Sequence, residues 1–325
     1  MTALVVSRIL QGLGVMLAMS LIVFVGVYAI GDPVEILINP DADQATRAEV
    51  TRSLGLDRPV WEQYGLFLFN ALQGDLGRSF VFNMPAIELI LERMPATLEL
   101  AIAATLLAVL LGIPLGLVAG MKPASRTGRT IMAGSILGFS LPTFWVGLLL
   151  ILVFSIWLGW LPSFGQGETV DVLGIPVSFL TADGLAHLIL PALNLALFKL
   201  ALLIRLTRAG VKEVMPQDYI RFARAKGLTG RRIIGLHVLK NILIPIVTVI
   251  GIEFGSVVAF AVVTESIFNW PGMGKLIIES IYMLDRPVIV AYLMVIVVLF
   301  VVINLVVDLL YSALDPRVRL KAMPA

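Results

Sequence analysis

Residues Asp218 to Pro245 read DYIRFARAKGLTGRRIIGLHVLKNILIP, and the rest of the chain is laid out around them. The stretch is basic and helix-forming, yet it stands between two apolar runs, Leu185 to Leu206 and Ile242 to Val263, each long enough to cross a bilayer core of roughly 30 Å. A loop so placed is held against one membrane face. Asp218 is positioned to cap a short helix over Tyr219 to Lys226, and Gly227 to take the left-handed position that ends it. Thr229 is positioned to cap a second helix, Gly230 to Leu243, with Arg231 and Arg232 in its first turn. Cations there oppose the helix dipole by roughly a few tenths of a kcal/mol each, so a partner is expected to supply compensating negative charge. The small Ala223, Ala225 and Gly227 would let a partner's surface approach the turn closely.

Composition fixes the solvent. At 59% hydrophobic, 14% charged and a mean hydropathy of +0.98 over 325 residues, the chain is too apolar for a soluble domain, whose apolar share is nearer half. The net charge of +2 gives no electrostatic support for nucleic-acid binding. There are no cysteines and only two histidines, His187 and His237, which excludes thiolate catalysis, disulfides and a Cys/His metal cluster. No cofactor is expected.

Six spans are expected. The first, Ile9 to Ile30, exceeds the usual 7 to 15 apolar residues of a signal peptide and reads as a retained helix. Residues 31–95 form the longest segment outside the membrane, with more acidic than basic residues. Within it, Pro85 to Met94 puts Ile87, Ile90, Leu91 and Met94 on one face, the pattern of an interfacial helix. The second span is Ala96 to Val118, with Gly112, Pro114 and Gly116. The third, Ile131 to Leu158, holds Ser140-Leu141-Pro142-Thr143 near its middle, where proline should kink it. The fourth ends near Leu206, the fifth follows the basic segment, and the sixth is Val288 to Tyr311. Grouping Arg8, residues 122–129, residues 205–240 and the C-terminal tail on one side collects 16 of the 24 Lys and Arg. That side is the cytoplasm by the positive-inside rule, and both termini lie there. One membrane domain, 1–325, is the simplest division, with 31–95 external and 207–241 cytoplasmic.

The segment Phe222-Ala223-Arg224-Ala225-Lys226-Gly227, followed by Ile244-Pro245, resembles the cytoplasmic coupling loop of ABC-type importer permeases. Its Ala-Arg-Ala-Lys-Gly-Leu form is similar to the branch that imports dipeptides, oligopeptides, nickel chelates or glutathione. The leading Glu and the first paired alanine of the general pattern are absent. Three further segments fit the same family: Leu54-Gly55-Leu56-Asp57-Arg58-Pro59 with Gly74-Asp75-Leu76-Gly77-Arg78-Ser79, then Glu265 with Trp270-Pro271-Gly272, and finally Leu314-Asp315-Pro316-Arg317. Gly272 to Lys275 is no phosphate loop, because the glycine spacing and the Ser or Thr after lysine are missing.

The resemblance implies an all-α polytopic protein with the type I ABC importer permease fold, in the bacterial inner membrane and surrounded by lipid. It implies a second, non-identical permease, two cytoplasmic ATPases and an external binding protein as partners, and no nucleic acid. Tyr219, Phe222, Ala223, Arg224, Ala225, Lys226, Gly227, Leu228 and Pro245 would couple to the ATPases. Glu265, Trp270, Pro271 and Gly272 would form an external gate. The chain has no nucleotide-binding motif, so ATP chemistry belongs to partners.

Charges inside spans need a partner or a watery route, because each costs about 2.5–3.5 kcal/mol at a helix centre. Lys199 lies six residues before Arg205 and can snorkel, while Glu253, eight residues beyond Pro245, has less reach. Their similar depths suggest that they pair or jointly face the path. Asn194, Thr248 and Asn304 are further candidates for the path, or for interhelical hydrogen bonds. Two rival readings remain: an ion-driven carrier using Lys199 and Glu253, for which no inverted repeat is visible, and an intramembrane enzyme, for which no His-Glu-x-x-His or Gly-x-Ser-x-Gly motif is present.

Overall fold

The computed structural model describes residues 2–29, 43–53 and 56–314. The Leu54-Gly55 start of one motif and the Asp315-Pro316-Arg317 tail lie outside the described residues. The chain forms two compact units, one of Thr2–Glu92 with Ile277–Val301 and one of Arg93–Leu276 with Val302–Ala325. Among the described residues, five helices are long and apolar enough to cross a membrane, and the number is six if one bent pair counts as a single span.

The first unit holds α1 (Thr2–Ala29), α2 (Gln44–Ser53) and α3 (Val60–Leu72). It also takes in the start of α4 (Ala86–Met121), the end of α10 (Met273–Tyr282) and most of α11 (Arg286–Leu314). Asp43 starts α2 by accepting the Thr46 N–H at 3.0 Å. Helix α3 packs on α1 through the rings of Phe24, Tyr64 and Phe67, with centroids 5.2–6.5 Å apart, and through a 2.9 Å hydrogen bond between Ser20 and the Tyr64 hydroxyl. The Gly74 to Ser79 motif is a folded turn. Gly74 and Gly77 take φ of +81° and +91°, the left-handed region where glycine alone is unstrained, and Asp75 accepts the Gly77 N–H at 2.9 Å. Ser79 then donates to the buried Asp285, which also accepts the Phe80 and Val81 N–H groups at 3.1 and 3.3 Å.

Pro85 to Met94 is not a separate interfacial helix. It runs without a break into the second span as α4, since Pro95 and Pro114 both sit inside the helix, and the buried side chains of its first turns are Ala86, Leu89 and Ile90.

The second unit holds α4 from Arg93, then α5 (Arg126–Ser140), α6 (Thr143–Trp157), α7 (Ala182–Val214), α8 (Asp218–Ala225) and α9 (Gly230–Ile267). Gly112, Gly116 and Gly120 of α4 are pressed against Leu203, Thr207 and Val211 of α7, so closely that an added Cβ would lie 2.5–2.9 Å from those side chains. Small residues at such a crossing let two backbones approach, the usual source of helix association in lipid. Gly251 of α9 meets Val307 of α11 in the same way, at 2.5 Å.

The third span departs most from expectation. Pro142 does not kink one helix; α5 and α6 are separate and bent by 108°. The reason is local: a residue before proline is pushed out of the helical region, and Leu141 accordingly takes φ −85°, ψ 137°. The loop after α6 contains a hairpin of β1 (Val170–Val172) and β2 (Ile175–Val177), antiparallel with Asp171 opposite Pro176. Glu99 of α4 ties this loop down, accepting from Ser178 N and Oγ at 2.8 Å each, Phe179 N at 3.0 Å and Gln166 Nε2 at 2.8 Å.

The glycine crossing yields a test. Gly116→Leu should cost at least about 1–3 kcal/mol through overpacking, because its Cβ would stand 2.8 Å from the Ile204 carbonyl as well as 2.5 Å from Thr207. Gly14→Leu, with open space around it, should be tolerated. Yield and melting temperature of the purified membrane protein distinguish the two, and equal values would contradict the crossing.

Candidate functional site

The basic segment folds as a helix, a glycine turn and a long helix. In α8, Ile220 and Ala223 are buried, and the helix packs against residues Ile233–Leu239 of α9, which are wound as a π-helix. Gly227 takes φ +77° with open space around it. Its N–H bonds the Arg224 carbonyl at 2.9 Å, and the Leu228 N–H bonds the Ala223 carbonyl at 3.2 Å. This pair of bonds is a Schellman cap, which satisfies two of the carbonyls left open at a helix end.

Three details differ from the sequence reading. Gln217, not Asp218, occupies the N-cap position; Asp218 lies in the first turn and meets Arg221 at 3.4 Å. Thr229 has the extended cap backbone but makes no side-chain cap bond. The second helix does not stop near Leu243 but continues through Pro245 to Ile267. Ala223, at 4% exposure, faces its own chain and leaves no room for a partner. The outward groups are Tyr219, Phe222 at 61% exposure, Arg224, Ala225, Lys226 and Gly227, with Leu228 half-buried. Lys226 lies over the Phe222 ring at 4.6 Å, and the Tyr219 hydroxyl accepts from Asn241 at 3.2 Å.

Deeper in the unit, Lys199 of α7 and Glu253 of α9 form an ion pair. Lys199 therefore does not snorkel; a counter-charge on the next helix replaces the route to water. The pair borders a recess of about 20 Å³, space for about one water molecule, whose other walls include Thr105, Ala108, Leu203 and Phe254. Asn194 is enclosed and donates to Thr264 at 3.0 Å. Thr248 bonds back to the Ile244 carbonyl at 3.0 Å, and Asn304 is half-buried on α11.

Glu265, Trp270, Pro271 and Gly272 assemble into a buried knot. The Glu265 carboxylate accepts the Thr97 hydroxyl at 2.7 Å and the Lys275 N–H at 2.9 Å. A Cβ on Gly272 would fall 2.4 Å from that carboxylate, so only glycine fits beside it. Thr97 Oγ1 accepts in turn from the Met273 N–H at 2.9 Å, and the Trp270 indole donates to the Ala96 carbonyl at 2.8 Å. Sequence reasoning missed Thr97, Glu99 and Asp285; the available signal was an acidic or hydroxyl residue at the edge of an apolar run, just inside it for Thr97 and Glu99 and three residues before it for Asp285. Among the described residues, no three metal-ligating side chains gather.

The comparisons agree with this architecture. Residues 112–320 match the family described as binding-protein-dependent transport system inner membrane component, and residues 1–101 match its N-terminal companion. The oligopeptide transport system permease protein AppB of Bacillus subtilis is 40% identical over 98% of this chain and 100% of its own. The di/tripeptide transport system permease protein DppB of Pseudomonas aeruginosa is 39% identical over 89% and 90%. The glutathione transport system permease protein GsiC of Escherichia coli is 38% identical over 98% and 99%. An inward-facing structure of the MetNI methionine ABC transporter shares the fold, with a TM-score of 0.55 over 70% of this chain and 96% of that one, at 18% identity. These relatives are named as permease subunits of transport systems, which favours neither an enzyme nor a lone ion-driven carrier. The chain therefore belongs to the family of binding-protein-dependent transport system inner membrane components, and is a multi-pass permease subunit of an ABC importer, a system that includes ATPase subunits and a substrate-binding protein.

Proposed function

We propose that the outward groups of residues Tyr219 to Leu228 are the surface on which a cytoplasmic ATPase bears, and that the cargo is a peptide or a related small solute. The observation that carries the first part is the two-sided build of α8: Ile220 and Ala223 fasten it to its own chain while Tyr219 and Phe222 stand outward. An aromatic pair exposed beside a basic loop is costly in water and is suited to a groove with acidic walls. The peptide cargo is supported by the names of the relatives above, which transport oligopeptides, di- and tripeptides and glutathione.

In this reading both termini and residues 207–241 face the cytoplasm, as the 16 clustered Lys and Arg suggest. The chain acts as one permease domain beside a second, non-identical permease. ATP binding draws the two ATPases together, α8 moves with the groove that holds it, and the spans open outward; hydrolysis returns them. The Glu265 to Gly272 knot controls the external end of the path, while Lys199 and Glu253 border its middle. Asn194, Thr248 and Asn304 tune the helix contacts around it.

Gly227→Asp tests the coupling surface. It forces a residue with a Cβ into φ +77° and adds an acid to the outward turn. The variant should insert normally and lose at least about tenfold in uptake, since about 1.4 kcal/mol of lost docking corresponds to a factor of ten. Normal uptake in proteoliposomes would contradict the assignment. Phe222→Ala should act in the same direction without strain.

The ion pair has its own test. Lys199→Met leaves Glu253 without its partner and should reduce assembly, with a cost of up to about 3 kcal/mol, whereas the double exchange Lys199→Glu with Glu253→Lys should restore it. If the pair borders the path, the exchanged protein will alter its preference among peptides of different net charge. Unchanged preference across such a set would reduce the pair to a fastening between α7 and α9.

A further inference from the structure

Helix α3, Val60–Leu72, has an apolar surface that the coupling and translocation roles leave unused. Of its 13 residues none is buried. Tyr64 and Phe67 turn toward α1, and the remaining circumference presents Trp61 at 76%, Phe69 at 59% and Leu72 at 87% exposure, with Leu66 beside them. Its polar groups are confined to the two ends: Glu62 and Gln63 in the first turn, Asn70 near the last.

The depth of this helix follows from what it touches. Tyr64 bonds Ser20 and stacks near Phe24, and both lie within the apolar run Val6–Gly26 of α1. Phe24 and Ser20 precede Ala29, the last residue of α1, by five and nine residues, about 8 and 14 Å at the helical rise of roughly 1.5 Å per residue. A helix fastened there stands at the level of the acyl chains. Its outward side therefore meets neither bulk water nor the aqueous space beyond the membrane.

We infer that α3 is a membrane anchor, with Trp61, Leu66, Phe69 and Leu72 seated among phospholipid acyl chains. In the orientation proposed above this is the outer leaflet. The chemistry matches that surround: Trp61, Leu66, Phe69 and Leu72 carry no polar group but the indole N–H, and an apolar helix face of this kind is favoured in lipid over water. Gln63 already has partners in the carbonyls of Arg58 and Leu56, at 2.7 and 3.2 Å.

The absence of cysteine from the chain makes each introduced thiol unique within it, and the partner subunits are used with their own cysteines replaced. Nitroxide labels are placed at Trp61→Cys, Phe69→Cys, Leu72→Cys and, as a control, Asp57→Cys, in the complete importer reconstituted into phosphatidylethanolamine and phosphatidylglycerol vesicles. Labels at 61, 69 and 72 should collide more with oxygen than with a water-soluble nickel chelate, and the label at 57 should do the reverse. Labels at 69 and 72 open to nickel would overturn the inference. So would labels closed to both reagents, because a protein neighbour would then cover the face. Should these variants fail to assemble, photolabelling of the unmodified importer with an apolar carbene reagent decides: modification within 60–72 is expected, and its absence refutes the anchor.

Discussion

A carboxylate taken out of water must find its donors within the protein, because unpaired buried charge is costly, and that requirement organises much of this permease. In the second unit Glu99 gathers four donors from the loop that carries the hairpin, Glu265 gathers the Thr97 hydroxyl of α4 and the Lys275 N–H in the first turn of α10, and Glu253 takes the Lys199 ammonium. In the first unit Asp285 gathers Ser79 and two backbone N–H groups. Each acid joins segments far apart in sequence. Two of them, Glu99 and Asp285, hold non-helical backbone, which is tolerated near a membrane only when its polar groups are satisfied internally.

Helix α8 separates an inward from an outward side along a single turn. Ile220 and Ala223 face inward, three residues apart, and Tyr219 and Phe222, also three apart, face outward. The Schellman cap at Gly227 then redirects the chain without leaving carbonyls open. Backbone conformation, rather than space, requires the glycine there, whereas at Gly116 and Gly272 the requirement is space alone.

These distinctions explain what could be read from residues in order. The left-handed turn at Gly227 is a local event, and local chemistry predicts it. The Lys199–Glu253 pair was legible because the cost of isolated charges in lipid leaves few alternatives and the two residues lie at matching depth. The inward face of Ala223 was not legible: alanine suits a close partner equally well whether that partner is another protein or the π-wound Ile233–Leu239 of the same chain. The separation of α5 from α6 exceeded the expected kink because proline acts on its predecessor, Leu141, as well as on itself. Thr97, Glu99 and Asp285 stayed hidden because their partners come from distant loops, which no periodicity marks.

One more property follows from the course of α9. Gly230, just past the Gly227 turn, and Glu253 belong to the same rod, 23 residues apart, or at most about 35 Å at roughly 1.5 Å per residue. Two weak places lie between them, the π-wound Ile233–Leu239 and Pro245, where helices bend most readily. A displacement of the Gly230 end is thus shared, like the load on a jointed fishing rod, between flexing at those places and movement of the acid, which must either drag its lysine along or let it go.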